Sequence, residues 1–63
     1  MPLIQINIVE GRSDEMKRQL MKNVTEVVSE TLGSPKEAIR ILINEMPKNH
    51  WGIGGVPMSD LKK

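Results

Sequence analysis

The chain has 63 residues and a net charge of +1, with no cysteine and a single histidine, His50. The lack of cysteine excludes disulfides, thiolate metal sites and thiol nucleophiles, and one histidine cannot build a zinc site. Basic and acidic residues are interspersed and form no long basic block, so we expect no nucleic-acid partner. No apolar run approaches the ~20 residues that span a bilayer, and the first residues lack a secretory pattern. A cytoplasmic protein is therefore expected.

The length predicts one domain, residues 1–63, with a small core. Size scaling predicts that folding contributes roughly 90 kcal/mol from buried apolar surface, against an ordering cost of roughly 95 kcal/mol. Small folds usually improve such a balance with disulfides, a metal or partner subunits. Composition removes the first two, and Trp51 is the only aromatic residue. We therefore expect an obligate oligomer.

The hydrophobic pattern predicts an α/β (α+β) subunit with β-α-β order, parallel strands and a C-terminal hairpin. Leu3–Val9 has isoleucine at alternate positions, which predicts the first strand. Ser13 is expected to cap a long amphipathic helix, and Gly33 is expected to end it. A helix of this length between two strands favours a parallel, right-handed crossover.

The second half of the chain begins with another helix-start signal. Ser34–Glu37 is predicted to form a capping box over one short turn, with its serine at the N-cap and its proline at N1. Ile39–Met46 is predicted as the second strand. The glycine-rich segment Trp51–Pro57 predicts a tight hairpin or coil and matches no phosphate-binding fingerprint. The chain end is predicted to be solvated because it carries Asp60, Lys62 and Lys63.

Pro2 is a candidate general base. Cells normally remove an initiator methionine that precedes a small residue such as proline, and the chain would then begin with a secondary amine. An α-amino group has a reference pKa of about 7.7–8.0. Nearby arginine charges and burial would lower that pKa toward the range in which a base works best at neutral pH. The alternative is a proline that only opens an edge strand.

Two arginines and the tryptophan complete the candidate set. Arg12 follows the first strand, and Arg40 lies within a strand of isoleucine and leucine, where an arginine needs an anion or solvent. Either can clamp a carboxylate and stabilise developing negative charge, or form an ordinary salt bridge. Trp51 is expected either to line an apolar pocket or to pack at an interface. His50 is interpreted as structural or solvated.

Four parts of the chain together resemble one enzyme family. They are Met1-Pro2, the stretch IVEGRSDE at residues 8–15, Arg40, and the stretch EMPKNHWGIGG at residues 45–55. With the whole chain length, they resemble the 4-oxalocrotonate (2-hydroxymuconate) tautomerases of the tautomerase superfamily. The resemblance implies β-α-β subunits assembled as a homohexamer, no metal or organic cofactor, and a role in aromatic hydrocarbon catabolism.

The resemblance also implies a mechanism. Pro2, after removal of Met1, is the general base that moves a proton within 2-hydroxymuconate, a small unsaturated dicarboxylate, to give the 2-oxo-3-enedioate. Arg12 binds the distal carboxylate. Arg40, from a neighbouring subunit, binds the 2-oxo end and draws electron density toward it. Trp51, where the family usually has phenylalanine, walls the apolar pocket.

Two alternatives stay open at this point. One is an enzyme of the same fold that acts on another enol, such as a phenylpyruvate-type monocarboxylate, or a promiscuous hydratase. The other is a non-enzymatic oligomeric interaction module in which Pro2 is structural. Gly52 stands where dehalogenases of the superfamily carry an additional carboxylate, so hydrolytic dehalogenation is not expected as the main activity.

Overall fold

The computed structural model describes residues 1–61, so the predicted solvated end at Lys62 and Lys63 lies outside the described residues. The main elements are β1 (Leu3–Val9), α1 (Asp14–Leu32) and β2 (Arg40–Met46). A hairpin follows, formed by the short antiparallel strands β3 (Gly52–Ile53) and β4 (Val56–Pro57). Single 3-10 turns cover Lys36–Ala38, Lys48–His50 and Met58–Asp60.

β1 and β2 pair in parallel, from Leu3 opposite Arg40 to Val9 opposite Met46. The predicted β-α-β order, parallel pairing and C-terminal hairpin are confirmed. None of the helices within residues 1–61 is long and apolar enough to cross a bilayer.

The limits of α1 agree with the predicted capping signals. The hydroxyl of Ser13 accepts a hydrogen bond from the backbone N–H of Met16 at 3.1 Å. At the other end, Gly33 has a φ of 71°, and its N–H donates to the carbonyl of Ser29 at 2.9 Å. Glycine takes this left-handed conformation without a Cβ penalty, so it ends the helix and redirects the chain.

The predicted capping box before β2 does not form. The 3-10 turn is Lys36–Ala38, and its N-cap is Pro35, which makes no side-chain hydrogen bond. The predictions of Ser34 at the N-cap and Pro35 at N1 are therefore wrong. The carbonyl of Ser34 instead accepts a hydrogen bond from the hydroxyl of Ser29 at 2.7 Å. This contact ties Ser34 to the end of α1, and the extended backbone of Pro35 delays the turn by one residue.

The interior of one protomer is small. Among the described residues the buried hydrophobic core consists of Ile39, which is 7% exposed and precedes β2 rather than opening it as predicted. The isoleucines of the two main strands are only partly buried: Ile4, Ile6, Ile8, Ile41 and Ile43. On the other sheet face, Leu3 and Leu42 are 58% and 47% exposed. Apolar side chains of α1 are exposed as well: Met16, Met21, Val27 and Leu32.

The shape of the protomer agrees with this shallow core. Its accessible surface is 4933 Å², whereas size scaling gives about 4,100 Å² for a compact chain of this mass. Its radius of gyration is 14.8 Å, with extents of 43 × 23 × 15 Å, whereas a compact domain of this length has about 11 Å. One protomer is therefore elongated and exposes more apolar surface than a compact monomer of its size would.

An ion pair connects α1 to the turn before β2. The ammonium of Lys36 lies 2.7 Å from a carboxylate oxygen of Glu26. The hydrogen bond to Lys36 lowers the pKa of Glu26, and the same bond raises the pKa of Lys36. The pair therefore stabilises the fold above the ordinary glutamate pKa, and its contribution is lost as the pH falls through the lowered value. Both groups are solvent-exposed, so salt weakens the effect.

We expect Lys36→Gln to lower the melting temperature slightly at pH 7 and to have no effect once the pH is below the folded-state pKa of Glu26. The reason is that a protonated Glu26 no longer attracts Lys36. The measurement is thermal unfolding of both chains between pH 7 and pH 2 at one protomer concentration. In a Glu26→Gln background the second substitution should change nothing. A difference between Lys36→Gln and wild type that is constant with pH would contradict the assignment.

Candidate active site

Pro2 and Arg40 lie at the end of the sheet where β1 begins. The backbone N–H of Arg40 donates to the carbonyl of Pro2 at 3.0 Å, and Arg40 is opposite Leu3 in the strand register. Strand alternation therefore places the Arg40 side chain on the exposed face with Leu3, opposite the face of Pro2. Its Nη1 donates to the carbonyls of Glu37 at 2.6 Å and Ile39 at 3.4 Å. A guanidinium has five N–H donors, so Arg40 keeps capacity for an anion.

The nitrogen of Pro2 is an amide nitrogen while Met1 is present, and an amide nitrogen is not basic. Met1 is 86% exposed, whereas Pro2 is partly buried at the start of β1. Removal of Met1 would therefore cost the fold little packing. It would leave a secondary amine whose ring is held by the first strand.

Arg12 and Trp51 lie at the other end of β1, in a groove of about 340 Å³ that we call the distal groove. Its lining residues are Asn7, Ile8, Val9, Glu10, Arg12, Lys48, Trp51 and Met58. Nη1 of Arg12 donates to the carbonyl of Val9 at 3.3 Å. The backbone N–H of Met58 donates to the carbonyl of Trp51 at 2.7 Å, which ties the hairpin to the tryptophan.

Glycines form two sharp turns of the chain near the residues of the distal groove. The N–H of Glu10 extends the ladder by donating to the carbonyl of Met46 at 2.9 Å, and Gly11 then turns the chain away with a φ of 125°. That conformation excludes most other residues, so Arg12 is held beside the end of β1. In the hairpin, Gly54 and Gly55 have φ values of 59° and 87°, and two positive values in succession are what a type I′ turn requires.

One protomer does not bring all four predicted site residues together. It places Pro2 near Arg40, and it places Arg12 near Trp51. The two pairs lie at opposite ends of β1, which has 7 residues, and a strand of that length spans about 23 Å. The family resemblance implied that Arg40 comes from a neighbouring subunit, and the protomer agrees with this because the Arg40 side chain lies on the sheet face opposite Pro2. The protomer also separates Pro2 from Arg12 by the length of β1.

A second groove, of about 300 Å³, lies between α1 and β2. The ammonium of Lys17 lies there 2.8 Å from Glu45 and 3.3 Å from Asp14, and these carboxylates, Glu45 above all, raise the pKa of Lys17. Its charges compensate one another, and none of the predicted site residues lines it. His50 is exposed and lines neither groove, which agrees with a solvated role. Within residues 1–61, no group of three or more His, Asp and Glu side chains is placed to hold a metal ion.

Other side chains of the distal groove were not among the predicted site residues, including Glu10, Lys48 and Met58. Glu10 and Lys48 belong to the two stretches that carry the family resemblance, so a signal for them was present. Met58 carried no signal, because only the fold of the hairpin places it against Trp51.

Comparison with known proteins identifies the class. The family model described as tautomerase enzyme matches residues 2–61. A curated 2-hydroxymuconate tautomerase of Pseudomonas putida is 52% identical, and one of Pseudomonas sp. strain CF600 is 49% identical, each over 100% of both chains. A probable tautomerase of Staphylococcus haemolyticus is 48% identical over 60 residues, which cover 95% of this chain and 97% of that protein.

Solved structures show the same relationship. The crystal structure of YwhB, a homologue of 4-oxalocrotonate tautomerase, superimposes with a TM-score of 0.93 at 43% identity, covering 97% of this chain and 100% of that one. A heterohexamer 4-oxalocrotonate tautomerase from Chloroflexus aurantiacus has a TM-score of 0.92 at 34% identity, covering 98% and 100%. The chain is thus an enzyme of the isomerase class, and not an interaction module. It belongs to the tautomerase family.

Proposed function

We propose that this enzyme converts 2-hydroxymuconate, or a closely similar dienol dicarboxylate, to the 2-oxo-3-enedioate. Full-length relatives named 2-hydroxymuconate tautomerase support this substrate class. The reaction needs a base near neutral pH, a cation for the 2-oxo end and a cation for the distal carboxylate. In this proposal Pro2, Arg40 and Arg12 supply these groups in that order.

The proposed chemistry moves one proton within one substrate molecule. The Pro2 amine, freed by removal of Met1, takes the acidic proton of the dienol, and negative charge develops on the 2-oxygen. Arg40 stabilises that charge and so favours ketonisation. The protonated amine then returns a proton to the far end of the diene, and the remaining double bond becomes conjugated with the 2-oxo group. Trp51 excludes water from the reacting diene.

The observation that carries the proposal is the separation of Pro2 and Arg12 along β1. A six-carbon dicarboxylate is far shorter than the ~23 Å length of a strand of seven residues. Pro2 and Arg12 can therefore act on one molecule only if they come from different copies of the chain. The Arg40 side chain lies on the sheet face opposite Pro2, which supports its contribution from a neighbouring subunit.

The exposed surface supports self-association. Apolar side chains are exposed on two surfaces of the protomer, namely Leu3 and Leu42 on the open sheet face and the apolar side chains of α1. Monomeric soluble proteins rarely expose large apolar patches. The related enzyme from Chloroflexus aurantiacus is a heterohexamer. We propose a homohexamer for this chain, in which the same contacts complete the core and the active site.

A complementation experiment tests the shared site. Pro2→Ala and Arg12→Ala chains, each with low activity alone, are unfolded, mixed in equal amounts and refolded. If each site takes Pro2 and Arg12 from different chains, random assembly leaves about a quarter of the sites with both residues, and activity returns to that level. A mixture of Pro2→Ala with Pro2→Gly is the control, because it cannot form an intact site. Mixed assemblies confirmed by native mass spectrometry that recover no activity would contradict the proposal.

A further inference from the structure

The distal groove contains a second cation beside Arg12. Lys48 is the first residue of the 3-10 turn that follows β2, and it lines the same groove as Arg12 and Trp51. The charged lining residues are the two cations and Glu10, so the groove carries a net positive charge. One arginine can clamp one carboxylate, and the second cation gives the same groove further capacity for an anion.

The charge of Lys48 is not used in an ion pair within the described part of the chain. Lys17 and Lys36 each have a carboxylate within 3.4 Å, whereas Lys48 is in none of the ion pairs of residues 1–61. Glu10 instead contacts the backbone of Lys48, since a carboxylate oxygen of Glu10 accepts from the Lys48 N–H at 3.4 Å. This contact holds the turn beside the end of β1 and leaves the ammonium for another anion.

The charged lining of the groove suits an anion held by two unlike cations. A carboxylate has two oxygens with four lone-pair sites, so it can accept from a guanidinium and an ammonium at once. Trp51 and Met58 are partly buried on the same wall. Their apolar surface lines the groove together with the two cations, which are exposed in one protomer.

We propose that Lys48 is a second binding residue for the distal carboxylate of the substrate and makes the enzyme selective for dianionic over monoanionic ligands. This inference rests on the proposed function, because it assigns the distal groove to the far end of the substrate. In this proposal Lys48 contacts the distal carboxylate, whose charge stays the same throughout the reaction. Its loss should therefore raise KM for dicarboxylates and leave kcat nearly unchanged.

The experiment compares muconate with sorbate, two six-carbon dienes that differ in the second carboxylate. Affinities are measured by calorimetry on the assembled full-length enzyme without Met1, for wild type, Lys48→Gln and Lys48→Arg. Lys22→Gln is the matched control, because it removes the same charge from an exposed position on α1. We expect Lys48→Gln to weaken muconate binding about tenfold, with Lys48→Arg and Lys22→Gln close to wild type. Sorbate binding should be unchanged in all four proteins.

The outcomes separate this inference from the proposed function. Equal muconate affinity in wild type and Lys48→Gln would overturn the role of Lys48. The same holds if Lys48→Gln weakens sorbate binding as much as muconate binding, or if the wild type binds muconate no more tightly than sorbate. If the wild type turns over dienol dicarboxylates in any of these cases, the proposed function stands. A selective loss of muconate affinity in Lys48→Gln supports the role of Lys48 even if the wild type shows no turnover.

Discussion

A chain that keeps Met1 is expected to ketonise 2-hydroxymuconate at least ~10²-fold more slowly than a chain that begins at Pro2. The reason is electronic: in the first chain the Pro2 nitrogen is an amide without basicity, and in the second it is a secondary amine. Met1 is exposed, so both chains should fold and unfold alike. Chemical synthesis gives both forms, and intact-mass analysis under native conditions confirms the first residue and the subunit count.

The pH profile gives an independent readout of the same prediction. Activity of the chain that begins at Pro2 should rise with pH as the amine loses its proton, and this ionisation should be absent from the residual activity of the Met1 form. Pro2→Ala without Met1 is the control, because it keeps an α-amine but loses the rigid ring, and its activity should lie between the other two. Equal rates for the chains with and without Met1 would eliminate the amine as the base.

Arg40→Ala is expected to lower kcat about 10²–10³-fold with a smaller change in KM, because Arg40 is proposed to stabilise charge that develops only in the transition state. Arg12→Ala is expected to show the opposite pattern, a KM raised about tenfold or more, because the distal carboxylate has the same charge throughout the reaction. Steady-state kinetics with a dicarboxylate enol separates the two patterns.

Arg18→Ala is the matched control for both variants. Arg18 is an exposed arginine of α1 that pairs with Glu15 at 3.4 Å and does not line the distal groove. Its removal should leave both kinetic constants near wild type. With a monocarboxylate enol, Arg12→Ala should match wild type, because that substrate has no distal carboxylate. If Arg40→Ala and Arg12→Ala change kcat and KM in the same way, the two ends of the substrate have been assigned wrongly.

Local signals predicted most of the secondary structure because each depends on neighbouring residues. The limits of α1 follow from the Ser13 hydroxyl and the conformational freedom of Gly33, and β1 follows from its alternating isoleucines. The capping box at Ser34 did not form, because the turn begins one residue later, with Pro35 at its N-cap. The Ser34 carbonyl instead accepts from the hydroxyl of Ser29 at the end of α1, a contact that a four-residue pattern does not contain.

The candidate site was predictable as a set of residues but not as an arrangement. Pro2, Arg12, Arg40 and Trp51 could be named because their chemistry is unusual for their positions and because the chain resembles a known family. Lys48 could not be singled out, because a lysine after a strand is most often a solvated charge. Its meaning depends on the groove that it shares with Arg12. The cytoplasmic location and the role in aromatic hydrocarbon catabolism stay predictions.

The sequence by itself determined the order of elements, the family, the candidate base and cations, and the shortage of core that requires other copies. These properties depend on local patterns, on residue chemistry and on the ratio of surface to volume. Only the tertiary structure decided which side chains accompany Pro2 and Arg12 at the two ends of β1. The physical reason is that parallel pairing of β1 with β2 brings Arg40 beside Pro2 and Met46 beside Val9, and a seven-residue strand holds those two pairs apart. Subunit association, which first followed from a small core, thereby also becomes a proposed requirement for a complete active site.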